Sequence, residues 1–144
     1  MNLINAPEAP DAIGPYSHAV ELKGLIFCSG QIPLDPETMK LVEGGIEEQT
    51  HQVFSNIRAV LSEAGSGLNH VMKTTIFLHD MNDFPAVNQI YADAFGEHKP
   101  ARSTIEVSAL PLGSLIEIEC IAVEASRNDS PSNEDSGSPG KPSA

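Results

Sequence analysis

Two stretches hold the residues best suited to chemistry: Pro100-Ala101-Arg102-Ser103-Thr104-Ile105-Glu106-Val107 and Leu115-Ile116-Glu117-Ile118-Glu119-Cys120-Ile121-Ala122-Val123. The planar fork of Arg102 suits a carboxylate or phosphate held by two parallel hydrogen bonds. Glu117 sits among acidic and partly apolar neighbours, where a carboxyl pKa rises toward the range of a general base. A plainer reading stands beside each. Arg102 can form a structural ion pair with Glu106, Glu117 or Glu119, and the glutamates can be ordinary solvated strand carboxylates. Periodicity does not choose between Glu117 and Glu119 as the working carboxylate.

Two further segments carry candidates. Cys28-Ser29-Gly30-Gln31 ends a strand-like run, and Gly30 lets the backbone approach a ligand and present its N–H. Tyr16 follows Gly14-Pro15 and has a hydroxyl to offer, although such a Tyr is more often a half-buried packing residue. No G-x-S-x-G elbow occurs. The five histidines, at 18, 51, 70, 79 and 98, lack metal-ligand spacing, and the glycine patterns of nucleotide-binding loops are missing. Neither a metal nor a cofactor is expected.

These residues need elements to position them. Side chains alternate along a strand. In the first stretch Ser103, Ile105, Val107 and Ala109 share one face, and Arg102, Thr104, Glu106 and Ser108 the other. In the second, Ile116, Ile118, Cys120 and Ala122 oppose Leu115, Glu117, Glu119 and Ile121. Pro111 and Gly113 supply turn chemistry between them, so a hairpin is expected. Its apolar faces would meet one core and its other face would gather Arg102, Thr104, Glu106, Glu117 and Glu119.

The remaining chain reads as scaffold. A short edge strand near Leu3 is followed by strands over Tyr16–Leu22 and Leu25–Ser29, joined at Lys23-Gly24. Val53, Ile57, Val60, Leu61 and Ala64 mark one face of a helix that starts near Ile46 and stops at Gly65 and Gly67. Val71–His79 is strand-like. Asn82 is expected to cap a second helix with Pro85 in its first turn and Val87, Ile90, Tyr91, Ala94 and Phe95 on its apolar face. The expected fold class is α+β, with a single mixed sheet of five to six strands and both helices on one face. Residues 1–125 form the domain, and the Ser-, Pro- and Gly-rich residues 126–144 a disordered tail.

Bulk properties narrow the function. The 144 residues carry a net charge of −12, and Arg58 and Arg102 are the only arginines before the tail. Such a field repels nucleic acid and anionic membrane surfaces, and no apolar run is long enough to span a bilayer. The N-terminus has no basic n-region or Arg-rich amphipathic stretch, and Cys28 and Cys120 fall in apolar runs that suit reduced, buried thiols. A cytoplasmic location is expected. The partly apolar sheet face needs a cover, and further copies of the chain are the simplest one.

The run from Pro100 through Leu110-Pro111 to Glu119 closely resembles the signature of the Rid family, the reactive intermediate deaminases also called YjgF proteins. The match extends to Ile13-Gly14-Pro15-Tyr16-Ser17, Cys28-Ser29-Gly30-Gln31-Ile32, Lys73-Thr74-Thr75-Ile76-Phe77-Leu78 and Asn82-Asp83-Phe84-Pro85-Ala86-Val87-Asn88, nearly everything up to Ala125. The resemblance implies a chorismate-mutase-like fold, a homotrimer and sites in the clefts between subunits. It implies hydrolysis of 2-iminobutanoate and 2-iminopropanoate to 2-oxo acids and ammonia. Carried over by position, Arg102 would grip the substrate carboxylate and Glu117 would hold or activate water. Ser29 and Gly30 would line the pocket, and Tyr16 would close over it from the neighbouring subunit. Asn88 falls on a family position without a firm role. Thr104 stands where some members have Cys; its backbone can still meet the imine nitrogen, but thiol chemistry is disfavoured. Two other classes remain: a non-catalytic sensor of small 2-oxo carboxylates, and an RNA-directed activity that the acidic charge opposes.

Overall fold

The computed structural model describes residues 1–126, so the expected tail lies, apart from Ser126, outside the described residues. Eight regular elements follow in order: β1 (Asn2–Ile4), β2 (Ala19–Leu22), β3 (Leu25–Gln31), α1 (Ile46–Glu63), β4 (Val71–Leu78), α2 (Phe84–Phe95), β5 (Ala101–Glu106) and β6 (Ile116–Val123). The strands make one mixed six-stranded sheet in the order β1-β2-β3-β6-β4-β5. Both helices pack on one face of this sheet, an α+β arrangement.

Local chemistry explains the elements. At the β2–β3 turn Lys23 and Gly24 both take positive φ, 53° and 85°, the conformation that matches the twist of a tight hairpin. At the start of α1 the Glu48 carboxylate accepts the Gly45 N–H at 2.9 Å, and Glu47 and Glu48 complement the helix dipole. The period of Val53, Ile57, Val60 and Leu61 places all four in the core. They meet Ile26, Ile76, Ile116, Ile118 and Ala122 from the sheet, all fully buried. Each large aliphatic side chain so buried contributes about 1.5–3 kcal/mol. Phe54 joins the helices through edge-on contacts with Tyr91 and Phe95, ring centroids 5.9 and 5.8 Å apart.

Three expectations need correction. The helix boundary shifts by one residue: Asp80 caps a short 3₁₀ turn over Met81–Asp83 that contains Asn82, and α2 begins at Phe84 with Asp83 at its N-cap position. The strand expected from Tyr16 begins only at Ala19, because Tyr16 to His18 belong to an irregular strap leading into β2.

The third correction concerns the hairpin. β5 and β6 are not neighbours. β6 is antiparallel to both β3 and β4, whereas β5 runs parallel to β4 at the sheet margin, with α2 as the crossover. In β4, Thr74 is aligned with Arg102 on one side and Cys120 on the other, and Phe77 with Ile105 and Glu117. Thr74 is buried beneath α2, where its hydroxyl is 2.8 Å from the Tyr91 hydroxyl. Arg102, Thr104 and Glu106 therefore share the helix side, while Ser103, Ile105, Glu117 and Glu119 share the open side. The expected gathering of Arg102 with the glutamates does not occur within one chain.

Candidate active site

The residues singled out form two separate clusters. The first lies on the open side of the sheet, where β3, β6 and the strap before β2 converge. Ile13, Tyr16, Ser29, Gly30, Ile32, Pro111 and Glu117 line a cavity of about 350 Å³. Ser29 fixes the strap: its hydroxyl donates to the Ser17 carbonyl at 2.7 Å and its N–H to the His18 carbonyl at 2.9 Å. A register irregularity between Cys28 and Gln31 displaces Ser29 and Gly30 from regular pairing with β6, as bulges beside sites commonly do. Gly30 leaves room for the Glu117 side chain, since a Cβ there would collide with its carboxylate. Burial, reinforced by the Glu119 charge, raises the Glu117 pKa above the ordinary glutamate value. A half-buried carboxylate so shifted is a stronger base than an ordinary glutamate.

The second cluster lies on the helix side of the sheet margin. Arg102 is exposed on β5, and its Nη1 donates to the Asn88 Oδ1 of α2 at 2.8 Å. The guanidinium carbon stands 4.7 Å from the Tyr91 ring centroid and 5.2 Å from that of Phe84. These contacts restrict an otherwise flexible side chain. Arg102 and Asn88 also border a cavity of about 410 Å³ that runs between α2 and residues 98–102 over Tyr91 and Phe95. Thr104, two residues along β5, has a buried hydroxyl oxygen with no hydrogen-bond partner among the described residues.

Tyr16, Ser29, Gly30 and Glu117 are thus brought together, as are Arg102, Asn88 and Thr104, but one chain does not join the two sets. The sequence reading missed the platform of Phe84 and Tyr91 beneath Arg102. Their helical spacing with Asn88 was legible; the placement of β5 beside α2 was not. Cys28 and Cys120 are free thiols aligned across β3 and β6; Cys120 is buried as expected, whereas Cys28 is only partly buried.

The open side of the sheet is apolar around the first cluster. Leu3, Leu22, Leu25, Phe27 and Ile105 are each 40–65% exposed there. Exposed apolar side chains grouped on one sheet face are of the kind found at interaction surfaces.

Residues 6–124 match the family model described as Endoribonuclease L-PSP. The chain is 48% identical over 122 residues to the mouse (Mus musculus) protein named 2-iminobutanoate/2-iminopropanoate deaminase, covering 85% of this chain and 90% of the mouse protein. A solved structure described as a protein of unknown function of the conserved Rid family from Yersinia pestis is 53% identical, with a TM-score of 0.83 over 85% of this chain and 98% of that one. The structure of E. coli TdcF with bound serine is 37% identical, with a TM-score of 0.82 over 86% and 100% of the two chains. Relatives named as chloroplastic and mitochondrial proteins also occur.

Proposed function

The chain belongs to the Endoribonuclease L-PSP family, which includes the Rid proteins, and on that premise we propose that it is a hydrolytic deaminase of small 2-imino acids. Its substrates on this reading are 2-iminobutanoate and 2-iminopropanoate, and its products the 2-oxo acids and ammonia. The observation that carries the reading is the pair of half-sites: a guanidinium held by Asn88 and two rings, and a half-buried carboxylate of raised pKa against Gly30. Each lacks what the other has. The name of the mouse relative supports the reaction class.

The half-sites are completed by another copy of the chain. A homotrimer that buries the apolar open face would set Glu117, Ser29, Gly30 and Tyr16 of one protomer against Arg102, Asn88 and Thr104 of the next. Closed symmetric assembly places a like contact at every boundary.

Imine hydrolysis then follows from these groups. Arg102 grips the substrate carboxylate through its fork, with Asn88 fixing the fork and Ser29 and Gly30 lining the cleft. Glu117 takes a proton from water as the water oxygen bonds to C2 and the C=N pair moves to nitrogen. The carbinolamine nitrogen is protonated, the C–N bond breaks, and its electrons leave with ammonia. The hydroxyl proton is lost as the 2-oxo group forms. Thr104 meets the imine nitrogen through its backbone, and Tyr16 covers the cleft. No nucleic acid takes part on this reading, since a chain of charge −12 repels a polyanion. No helix among the described residues is long and apolar enough to cross a membrane, and we place the activity in the cytoplasm, where free thiols at Cys28 and Cys120 persist.

The test is a coupled assay. Threonine dehydratase generates 2-iminobutanoate, and the purified protein is added. Faster decay of the imine supports the deaminase; an unchanged rate together with saturable binding of 2-oxobutanoate would make the protein a carboxylate sensor instead.

A further inference from the structure

His18 lies outside the two half-sites, buried, with both ring nitrogens hydrogen-bonded. It is 3% exposed. The Ala6 N–H donates to Nδ1 at 2.9 Å, so Nδ1 carries no proton. Nε2 carries it and donates to the Pro10 carbonyl at 2.7 Å. The ring is thus neutral and fixed in one tautomer. The His18 N–H donates to Asn5 Oδ1 at 3.3 Å, and the His18 carbonyl receives the Ser29 N–H.

These bonds all act on one segment. β1 ends at Ile4 and β2 begins at Ala19, and the chain between has no ladder to hold it. Ala6 and Ala9 reach the core. The contact from Pro10 to His18 then closes a span eight residues apart in sequence. That closed span carries both Ile13 and Tyr16 into the cavity with Ser29, Gly30 and Glu117. Tyr16 is 45% exposed and its backbone N–H bonds to Gly14 within the same span. Its placement depends on where the span is pinned: Ser29 holds the Ser17 and His18 carbonyls at one end, and the imidazole ties residues 6–10 to the other.

We infer that His18 is a positioning residue for Tyr16: its neutral ring staples residues 6–10 to the start of β2 and thereby sets Tyr16 over the Glu117 cavity. The inference rests on the deaminase reading for its kinetic consequence. The structural consequence stands apart from it.

Two measurements decide the matter. In the coupled imine assay, kcat/KM is compared for wild type, His18→Gln, Tyr16→Ala and the double variant. His18→Gln keeps a donor but lacks the geometry to serve both Ala6 and Pro10, and should lose on the order of tenfold in kcat/KM. In the Tyr16→Ala background the same change should have no further effect, because its target is gone. Additive losses, or no loss in the single variant, would overturn the inference. Asn5→Ala, which removes only the outer bond, should give a smaller loss in the same direction if His18→Gln does not fold.

The second measurement needs no activity. The chain contains no Trp, so Tyr16→Trp introduces a single reporter on the strap. Adding His18→Gln should raise its acrylamide quenching constant several-fold, while the thermal transition of the domain stays cooperative. An unchanged quenching constant would refute the positioning role. If wild type fails to speed imine decay, the deaminase reading falls, and the quenching result still judges His18.

Discussion

Arg102 and Glu117 stand on opposite faces of one sheet, Arg102 aligned with the buried Thr74 of β4 and Glu117 with Phe77 three residues on. No side-chain motion within a single protomer brings a carboxylate through the sheet to a guanidinium on its far side. A site that uses both must take them from different copies. The following expectations build on that geometry.

Asn88 bears on substrate affinity through Arg102. Asn88→Ala removes the acceptor 2.8 Å from Nη1 and leaves the guanidinium held by the rings alone. Asn88 is exposed, so thermal stability should change by no more than about 0.5 kcal/mol. Steady-state kinetics should show KM for the imino acid rising by about tenfold, the cost of losing one oriented contact of about 1.4 kcal/mol. A large drop in melting temperature with unchanged KM would assign Asn88 a structural role.

Gly30 is required for space. Gly30→Ala places a methyl where the Glu117 carboxylate lies. The carboxylate is not backbone and can swing away, so the fold should survive at a cost of about 1–3 kcal/mol. Turnover should fall by at least tenfold because Glu117 has left its position. Full activity in a folded Gly30→Ala variant would exclude Glu117 as the group that handles water.

Glu119 tunes its neighbour. Burial raises the Glu117 pKa, and the Glu119 charge adds to that shift. A base works only when deprotonated, so activity should fall as pH drops through the Glu117 value. Glu119→Gln removes a like charge and should move that acidic limb of the kcat/KM profile to lower pH. A profile displaced upward, or not displaced, contradicts the assignment.

Thr104 offers a converse test. Its enclosed hydroxyl has no partner among the described residues, a small burden on stability. Thr104→Val keeps the shape and the β-branching and should match or exceed wild type in unfolding free energy, by up to about 1 kcal/mol. Activity should persist, since the proposed contact to the imine nitrogen is made by backbone. Loss of activity with intact folding would give the hydroxyl a direct role.

Much of this architecture was legible in the sequence. The 3.6-residue period from Val53 to Ala64 and the Lys23-Gly24 turn report local conformation, and both elements form where expected. The pairing of β5 was not legible. Alternation along 101–106 shows that Arg102, Thr104 and Glu106 share a face, but not which strand supplies the hydrogen bonds. The short connection through Pro111 and Gly113 suggested β6 as partner, whereas β4 takes that place. Ile105 misled for a related reason: on this marginal strand the apolar residue points to the open face beside Phe77, 44% exposed, and not to the core. The shared face of Arg102 and Thr104 was therefore legible, but the expected joining of that face to Glu117 and Glu119 was not correct.

Complementation between inactive variants tests the central claim most directly. Arg102→Ala and Glu117→Gln should each be inactive alone and keep the wild-type oligomeric mass. Refolded together in equal amounts, they should regain roughly a quarter of wild-type activity, because some boundaries then combine an intact Arg102 from one copy with an intact Glu117 from another. A mixed assembly that remains as inactive as its parents would contradict a site shared between protomers.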